Sequence, residues 1–144
     1  MPKRRLDNDF ALKAQDRLRA AGLRPTRQRV GLAQLLFNGP CRHLTAEDLF
    51  AEAAAAEISV SLATVYNTLH QFVEAGLLRE VLAEPGRAYF DTDVSNHHHF
   101  FHADTGMLQD IPEDAVVIAA LPAAPEGARI GRVEVVIRLE KAGA

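Results

Sequence analysis

The sequence predicts an α+β protein: an N-terminal winged helix-turn-helix domain over residues 1–91 and a small α/β domain over residues 92–144. Three observations predict it. Four amphipathic stretches, each with start and stop signals, fill the chain as far as Gly76. A strand–turn–strand pattern follows the fourth directly. The remainder is short, carries alternating apolar residues, and opens on Asn96-His97-His98-His99-Phe100-Phe101-His102.

Residues 8–21 read as the first helix. Asn8 supplies the cap, Phe10, Ala14 and Leu18 recur four apart, and Gly22 ends it. The second covers residues 27–37 after Pro25-Thr26, with Val30, Ala33, Leu36 and Phe37 as its apolar stripe and Asn38-Gly39-Pro40 as its terminator. The third starts at Thr45 and runs to Ala56. Thr45 with Asp48 makes a shortened capping box, and Leu44 with Leu49 makes a hydrophobic staple. The fourth runs from Ser61 to Gly76, with Val60 and Val65 as a second staple.

The fourth helix carries the functional signal. At about 100° per residue, Leu62, Val65, Leu69, Phe72 and Val73 gather on one face. The opposite face holds Ala63, Thr64, Asn67, His70 and Gln71, with Tyr66 on the boundary, and no Lys or Glu. An ordinary solvent face carries several charges. Small, hydrogen-bonding side chains without charge suit the reading of base edges in a major groove. Residues 77–82 and 88–91 then form two strands around a turn at 84–87, which completes the wing. Arg87 at the hairpin tip is placed to meet a phosphate, a contact that fixes position without reading sequence.

Charge agrees with this division. Residues 1–30 hold nine Lys and Arg against three Asp, whereas residues 92–144 hold four basic and eight acidic residues. A basic front on an acidic back suits a nucleic-acid face joined to a second function. Hydrophobic residues make up 48% of the chain and charged residues 24%, which is ordinary for a globular protein. No apolar run is long enough to cross a bilayer, and Met1-Pro2-Lys3-Arg4-Arg5 does not open a signal peptide. The expectation is a cytoplasmic protein with no membrane partner. The single cysteine, Cys41, excludes an internal disulfide and a cysteine-built zinc cage.

In the second domain Phe100-Phe101 continue the histidine strand, Thr105-Gly106 make a turn, and residues 107–111 form another strand. Pro112 opens a short helix that reaches Leu121. A loop at 122–127 leads to a last strand at 130–139, where Val133, Val135, Ile137 and Leu139 alternate with Glu134, Val136 and Arg138. Three strands and one helix bury little by themselves. Helix-turn-helix readers gain from two half-sites what one domain lacks. The second domain is therefore expected to be a dimerisation domain, and the partners to be a second copy of the chain and an operator in double-stranded DNA.

In an extended chain side chains alternate faces, so His97 and His99 point one way and His98 the other. Two imidazoles spaced i, i+2 make half of a metal site. Four histidines within six residues favour ligation over a merely solvated loop. No nucleophile–base pair or phosphate loop accompanies them, so an enzyme is not expected.

Together these residues resemble the ferric uptake regulator family: Thr45-Ala46-Glu47-Asp48-Leu49-Phe50, then Ser61-Leu62-Ala63-Thr64-Val65-Tyr66, then a hairpin and a His-rich strand. Ala88-Tyr89-Phe90-Asp91-Thr92, followed by His97-His98-His99-Phe100-Phe101 and Asp110-Ile111-Pro112, is similar to the iron response regulator branch. That likeness implies a dimeric, metal- or haem-responsive regulator, a repressor or activator of iron and haem homeostasis genes. It implies a hinge metal site of His43, Asp91, His97 and His99, a mixed nitrogen and oxygen set suited to Zn²⁺, Fe²⁺ or Mn²⁺. A haem iron would draw its axial ligands from His97, His98 and His99.

For DNA the likeness implies Tyr66 on the recognition helix and Arg24, in Gly22-Leu23-Arg24-Pro25-Thr26, in an A/T-rich minor groove. These join Ala63, Thr64, Asn67 and Arg87. Asn67 stands where the wider family often has Arg, which moves the expected preference from guanine towards adenine. The family's Cys-x-x-Cys-Gly is here His102-Ala103-Asp104-Thr105-Gly106, so no structural cysteine zinc site is expected. A manganese-, zinc- or peroxide-sensing regulator of the same family is the alternative.

Overall fold

A computed structural model describes residues 8–143, with side chains from Leu12 onward. The expected cap Asn8 and the stripe residue Phe10 have side chains outside the described residues. The chain divides into two compact units, Met1–Val94 and Ser95–Ala144.

The first unit contains α1 (Asn8–Ala20), α2 (Arg27–Phe37), β1 (His43–Leu44), α3 (Ala46–Ala55), α4 (Leu62–Glu74), β2 (Arg79–Glu84) and β3 (Arg87–Asp91). Hydroxyl caps start three of the helices. Thr26 accepts the Arg29 amide at 3.3 Å, Thr45 the Asp48 amide at 3.1 Å, and Ser61 the Thr64 amide at 3.1 Å. The Thr45 amide in turn donates to the Asp48 carboxylate at 3.0 Å, which completes the expected capping box. Each such cap stabilises its helix by about 1 kcal/mol.

Leu18, Leu32, Leu36, Leu49, Val65, Leu69, Phe72 and Phe90 form the buried core of this unit. Of the expected stripe on α2, Ala33 and Leu36 are buried and Val30 and Phe37 half-buried, while Leu32 and Gln34 are buried besides, because α1 and α3 pack on two of its sides. On α4, Val65, Leu69 and Phe72 are buried as expected, Thr68 joins them, and Leu62 and Val73 are only half-buried.

Leu77 and Leu78 do not start the wing. They close α4 instead: Gly76 turns the chain at φ +80°, and the Leu77 amide returns to the Phe72 carbonyl at 2.9 Å. β2 therefore begins at Arg79. It pairs antiparallel with β3, with a bulge between Leu82 and Glu84, and β1 pairs along the other edge of β3. The sheet order is β1-β3-β2. The two-residue β1 is too short for any period to announce it.

The second unit is a sheet with β4 (His98–His102) at its centre, β5 (Leu108–Ile111) antiparallel on one side and β6 (Val136–Leu139) parallel on the other. Two expectations are corrected here. The helix from Pro112 to Leu121 reduces to one 3₁₀ turn, Glu113–Ala115. Val116, Val117 and Ile118 are β-branched and disfavour a helix, and no described element covers their apolar face. The last strand covers Val136–Leu139 rather than residues 130–139. The second unit has no helix beyond that turn among the described residues, and Ile137 on β6 stays 38% exposed.

Candidate metal centre and nucleic-acid face

In the second unit the alternation of an extended chain sends His97 and His99 to one face of the sheet. Their rings meet edge to face, with centroids 4.6 Å apart. The register of β4 with β5 sets Asp110 directly opposite His99. Its Oδ1 lies 3.3 Å from the Nε2 of both His97 and His99. Each of these three residues offers one donor atom that lies within 4.8 Å of the other two. Donors placed about 2.0–2.1 Å from a tetrahedral ion sit roughly 3.3 Å apart. The spacing fits a small divalent cation.

The tautomer of His97 agrees with that fit. Its Nδ1 lies 2.7 Å from the Ser95 carbonyl, which can only accept, so Nδ1 carries a proton and donates. In the neutral ring Nε2 then presents a lone pair towards the Asp110 carboxylate. Two acceptors facing at 3.3 Å repel unless a proton or a metal ion stands between them. A histidine whose far nitrogen is held by a carbonyl is the usual arrangement of a metal ligand. Both imidazoles are buried, whereas Asp110 is 54% exposed on its side chain, which leaves a route for an ion.

His99 Nδ1 faces the Glu134 carboxylate at 3.6 Å, just before β6. His98 points to the other face, as expected, but it is buried, and its Nδ1 accepts the Val135 amide at 3.0 Å. His102 Nε2 pairs with Gln109 Oε1 at 2.9 Å. The four histidines thus divide into two converging donors, one tied to the backbone of the neighbouring chain segment, and one bonded to a surface amide.

The other two expected ligands belong to the first unit. His43 on β1 and Asp91 at the end of β3 are register partners, with Arg79 opposite Asp91 on β2. Asp91 is buried, and its Oδ1 accepts the Asp93 amide at 2.9 Å. Thr92 and Arg42 fix this end of the sheet by one backbone bond, Thr92 amide to Arg42 carbonyl at 2.9 Å, and one backbone to side-chain bond, Arg42 amide to Thr92 hydroxyl at 2.9 Å. Arg42 is clamped in turn by both oxygens of Glu52, at 2.9 and 2.7 Å.

On the expected DNA face, Ala63, Asn67 and Gln71 follow one another at i+4 along the exposed side of α4. Thr64 is engaged in the cap, its hydroxyl accepting from Ser61 at 2.9 Å. Tyr66 is half-buried, and its hydroxyl donates to Glu47 on α3 at 2.7 Å. That hydrogen bond, with burial and the negative charge of Glu47 adding to it, raises the phenol pKa above its ordinary value. His70 stacks on the Tyr66 ring and meets Phe90 edge-on. Arg24 is exposed in the loop between α1 and α2. Arg87 is exposed at the hairpin turn, 3.5 Å from Glu84.

Two site residues were not picked out from the sequence. Asp110 is a ligand candidate through strand register, and Glu47 meets Tyr66 through the packing of α3 on α4. The alternation of β5 was the available signal for Asp110; nothing local marks Glu47.

The sequence model of the ferric uptake regulator family matches residues 20–137. The ferric uptake regulation protein of Vibrio parahaemolyticus is 32% identical over 111 residues, which cover 76% of this chain and 70% of that protein. The protein of the same description from Pseudomonas aeruginosa is 42% identical over 90 residues, 62% of this chain and 67% of that protein. Among solved structures, the ferric uptake regulator from Pseudomonas aeruginosa with manganese superposes with a TM-score of 0.69 at 29% identity, covering 90% of this chain and 98% of that one.

Proposed function

The chain belongs to the ferric uptake regulator family, whose members are transcription regulators and not enzymes, and from that premise we propose that it is a dimeric, metal-responsive repressor of iron homeostasis genes. The single observation that carries the metal part is the convergence of His97 Nε2 and His99 Nε2 on Asp110 Oδ1 at 3.3 Å. The resemblance adds His43 and Asp91 as further ligands to that set. Such a set of neutral imidazoles and carboxylates suits Zn²⁺, Fe²⁺ or Mn²⁺.

The proposed mechanism follows from where these ligands stand in the chain. Asp91 ends the wing and His97 begins the second unit, so a shared ion would restrict the short segment between them. Restriction of that segment sets the spacing of two recognition helices in a dimer, and correct spacing admits both to successive major grooves. A second copy is supported by the exposed Val117, Ile118, Leu121 and Ile130 in a unit whose helical content among the described residues is one 3₁₀ turn. The expected DNA contacts are Arg24, Ala63, Thr64, Tyr66, Asn67 and Arg87.

Haem-responsive control is the finer reading. It rests on the run His97-His98-His99-Phe100-Phe101, with haem competing for His97 and His99 and displacing the metal. The binding of His98 Nδ1 to the Val135 amide leaves only Nε2 of that residue for an iron. One titration tests both levels. Labelled duplexes recovered from a random-sequence pool are titrated with protein that is metal-free, Zn²⁺-loaded, Mn²⁺-loaded or haem-treated. Metal is expected to strengthen binding, and the His97→Ala, His99→Ala double variant to lose that response. DNA affinity that ignores metal sinks the metal-responsive reading, and affinity that ignores haem sinks the finer one.

A further inference from the structure

Arg29, on the first turn of α2, belongs to no expected set of contacts. Its guanidinium nevertheless joins two of the proposed DNA-facing elements. Nε and Nη2 both donate to the Oε1 of Gln71 on α4, at 3.3 and 3.0 Å. Nη1 donates to the carbonyl of Arg24 at 3.0 Å. One planar fork therefore grips the third turn of the recognition helix and the backbone of the loop that presents Arg24.

The fork also decides how Gln71 meets a ligand. A free glutamine offers a donor and an acceptor side by side, the pattern that reads adenine. Here the acceptor oxygen is taken by two N–H groups of Arg29, so the amide nitrogen is what remains to a ligand, and it offers only hydrogen. Gln71 lies one turn beyond Asn67 and two beyond Ala63 on the same exposed stripe. A donor there meets a phosphate oxygen or a base acceptor such as a purine N7, and cannot pair with N6 and N7 of adenine together.

The geometry points to Arg29 as a positioning residue of the DNA face: it locks the Arg24 loop to α4 and holds Gln71 as a dedicated hydrogen-bond donor to DNA. This rests on the DNA-binding reading above and deepens it. Lysine cannot replace it, because an ammonium lacks the planar fork that holds two partners at once.

Double-mutant cycles test the assignment, with anisotropy of a labelled duplex that the Zn²⁺-loaded wild type has recovered from a random pool. Arg29→Met is expected to weaken binding about tenfold, and so are Arg24→Ala and Gln71→Ala. Positioning predicts non-additivity: Arg29→Met should cost less than about threefold once Arg24 and Gln71 are both alanine. Circular dichroism verifies the fold, and Arg29→Lys carries the same cycle if the methionine variant does not fold. Additive losses, or a folded Arg29 variant that binds as the wild type does, overturn the assignment while leaving the DNA-binding reading intact. A wild type that recovers no duplex overturns both.

Discussion

Replacing Asp110 by Asn probes the candidate metal centre with a minimal change of shape. The side chain is 54% exposed and lies at the edge strand β5, so the amide should alter the metal-free fold by no more than about 0.5 kcal/mol. Its effect on metal should be large. Oδ1 is equidistant at 3.3 Å from the two imidazole nitrogens, and it supplies the negative charge of that trio. Losing a ligand should weaken Zn²⁺ by about 100-fold, or about 2.7 kcal/mol, the upper end of what loss of a supporting group costs. At a free metal concentration 100 times the wild-type Kd, binding stabilises the wild type by about 2.7 kcal/mol and the variant by about 0.4 kcal/mol. Urea unfolding with and without Zn²⁺ should therefore show a metal-induced gain about 2.3 kcal/mol smaller in the variant. Competition against a chelating dye measures the affinity itself. Equal metal-induced gains in the two proteins would refute the argument that the 3.3 Å spacing is a coordination geometry.

Three further outcomes are expected. Glu57 ends α3 with φ +59°, the left-handed region that glycine occupies without strain, so Glu57→Gly should raise stability by about 0.5–1 kcal/mol in denaturant unfolding. Phe72→Ala removes a fully buried ring from the core under α4 and should cost about 3–5 kcal/mol by the same measurement. The bond from Tyr66 to Glu47 favours the protonated phenol, so its folded pKa lies above the unfolded value of 10.0. That contribution is present below the unfolded pKa and is lost as pH rises through the folded one. Ultraviolet titration of Tyr89→Phe, which leaves Tyr66 as the single tyrosine, should show ionisation above the ordinary range, returning towards it when Glu47→Ala is added.

The winged helix was legible because its signals are local and mutually consistent. Thr45 with Asp48, Ser61 before Leu62, and Gly22 and Gly76 after their helices each act within one turn of chain, and the apolar period links them. Departures arose where a residue answers to two elements. Leu77 and Leu78 read as strand by composition but serve the end of α4, since the left-handed Gly76 needs the Leu77 amide returned to Phe72. The segment after Pro112 read as helix from its start signals. A start signal supplies only about 1 kcal/mol. Without a partner surface that cannot outweigh the β-branched run at Val116-Val117-Ile118.

The candidate metal centre was half legible for a related reason. Alternation along a single strand fixes which histidines share a face, and His97 and His99 do. It says nothing of what stands across from them, because that depends on register with a second strand. Asp110 enters through β5, paired with His99, and Glu134 through the approach to β6. A one-residue slip of β5 would exchange Asp110 for Gln109 or Ile111 opposite His99, and neither neighbour brings a carboxylate to the two imidazoles. The turn at Thr105-Gly106 prevents that slip: the Gly106 amide donates to the His102 carbonyl at 2.8 Å, and the His102 amide to the Met107 carbonyl at 2.9 Å. The composition of the donor set therefore depends on a turn that contains no ligand. Lengthening it by one residue should abolish metal binding while every candidate ligand remains in the chain.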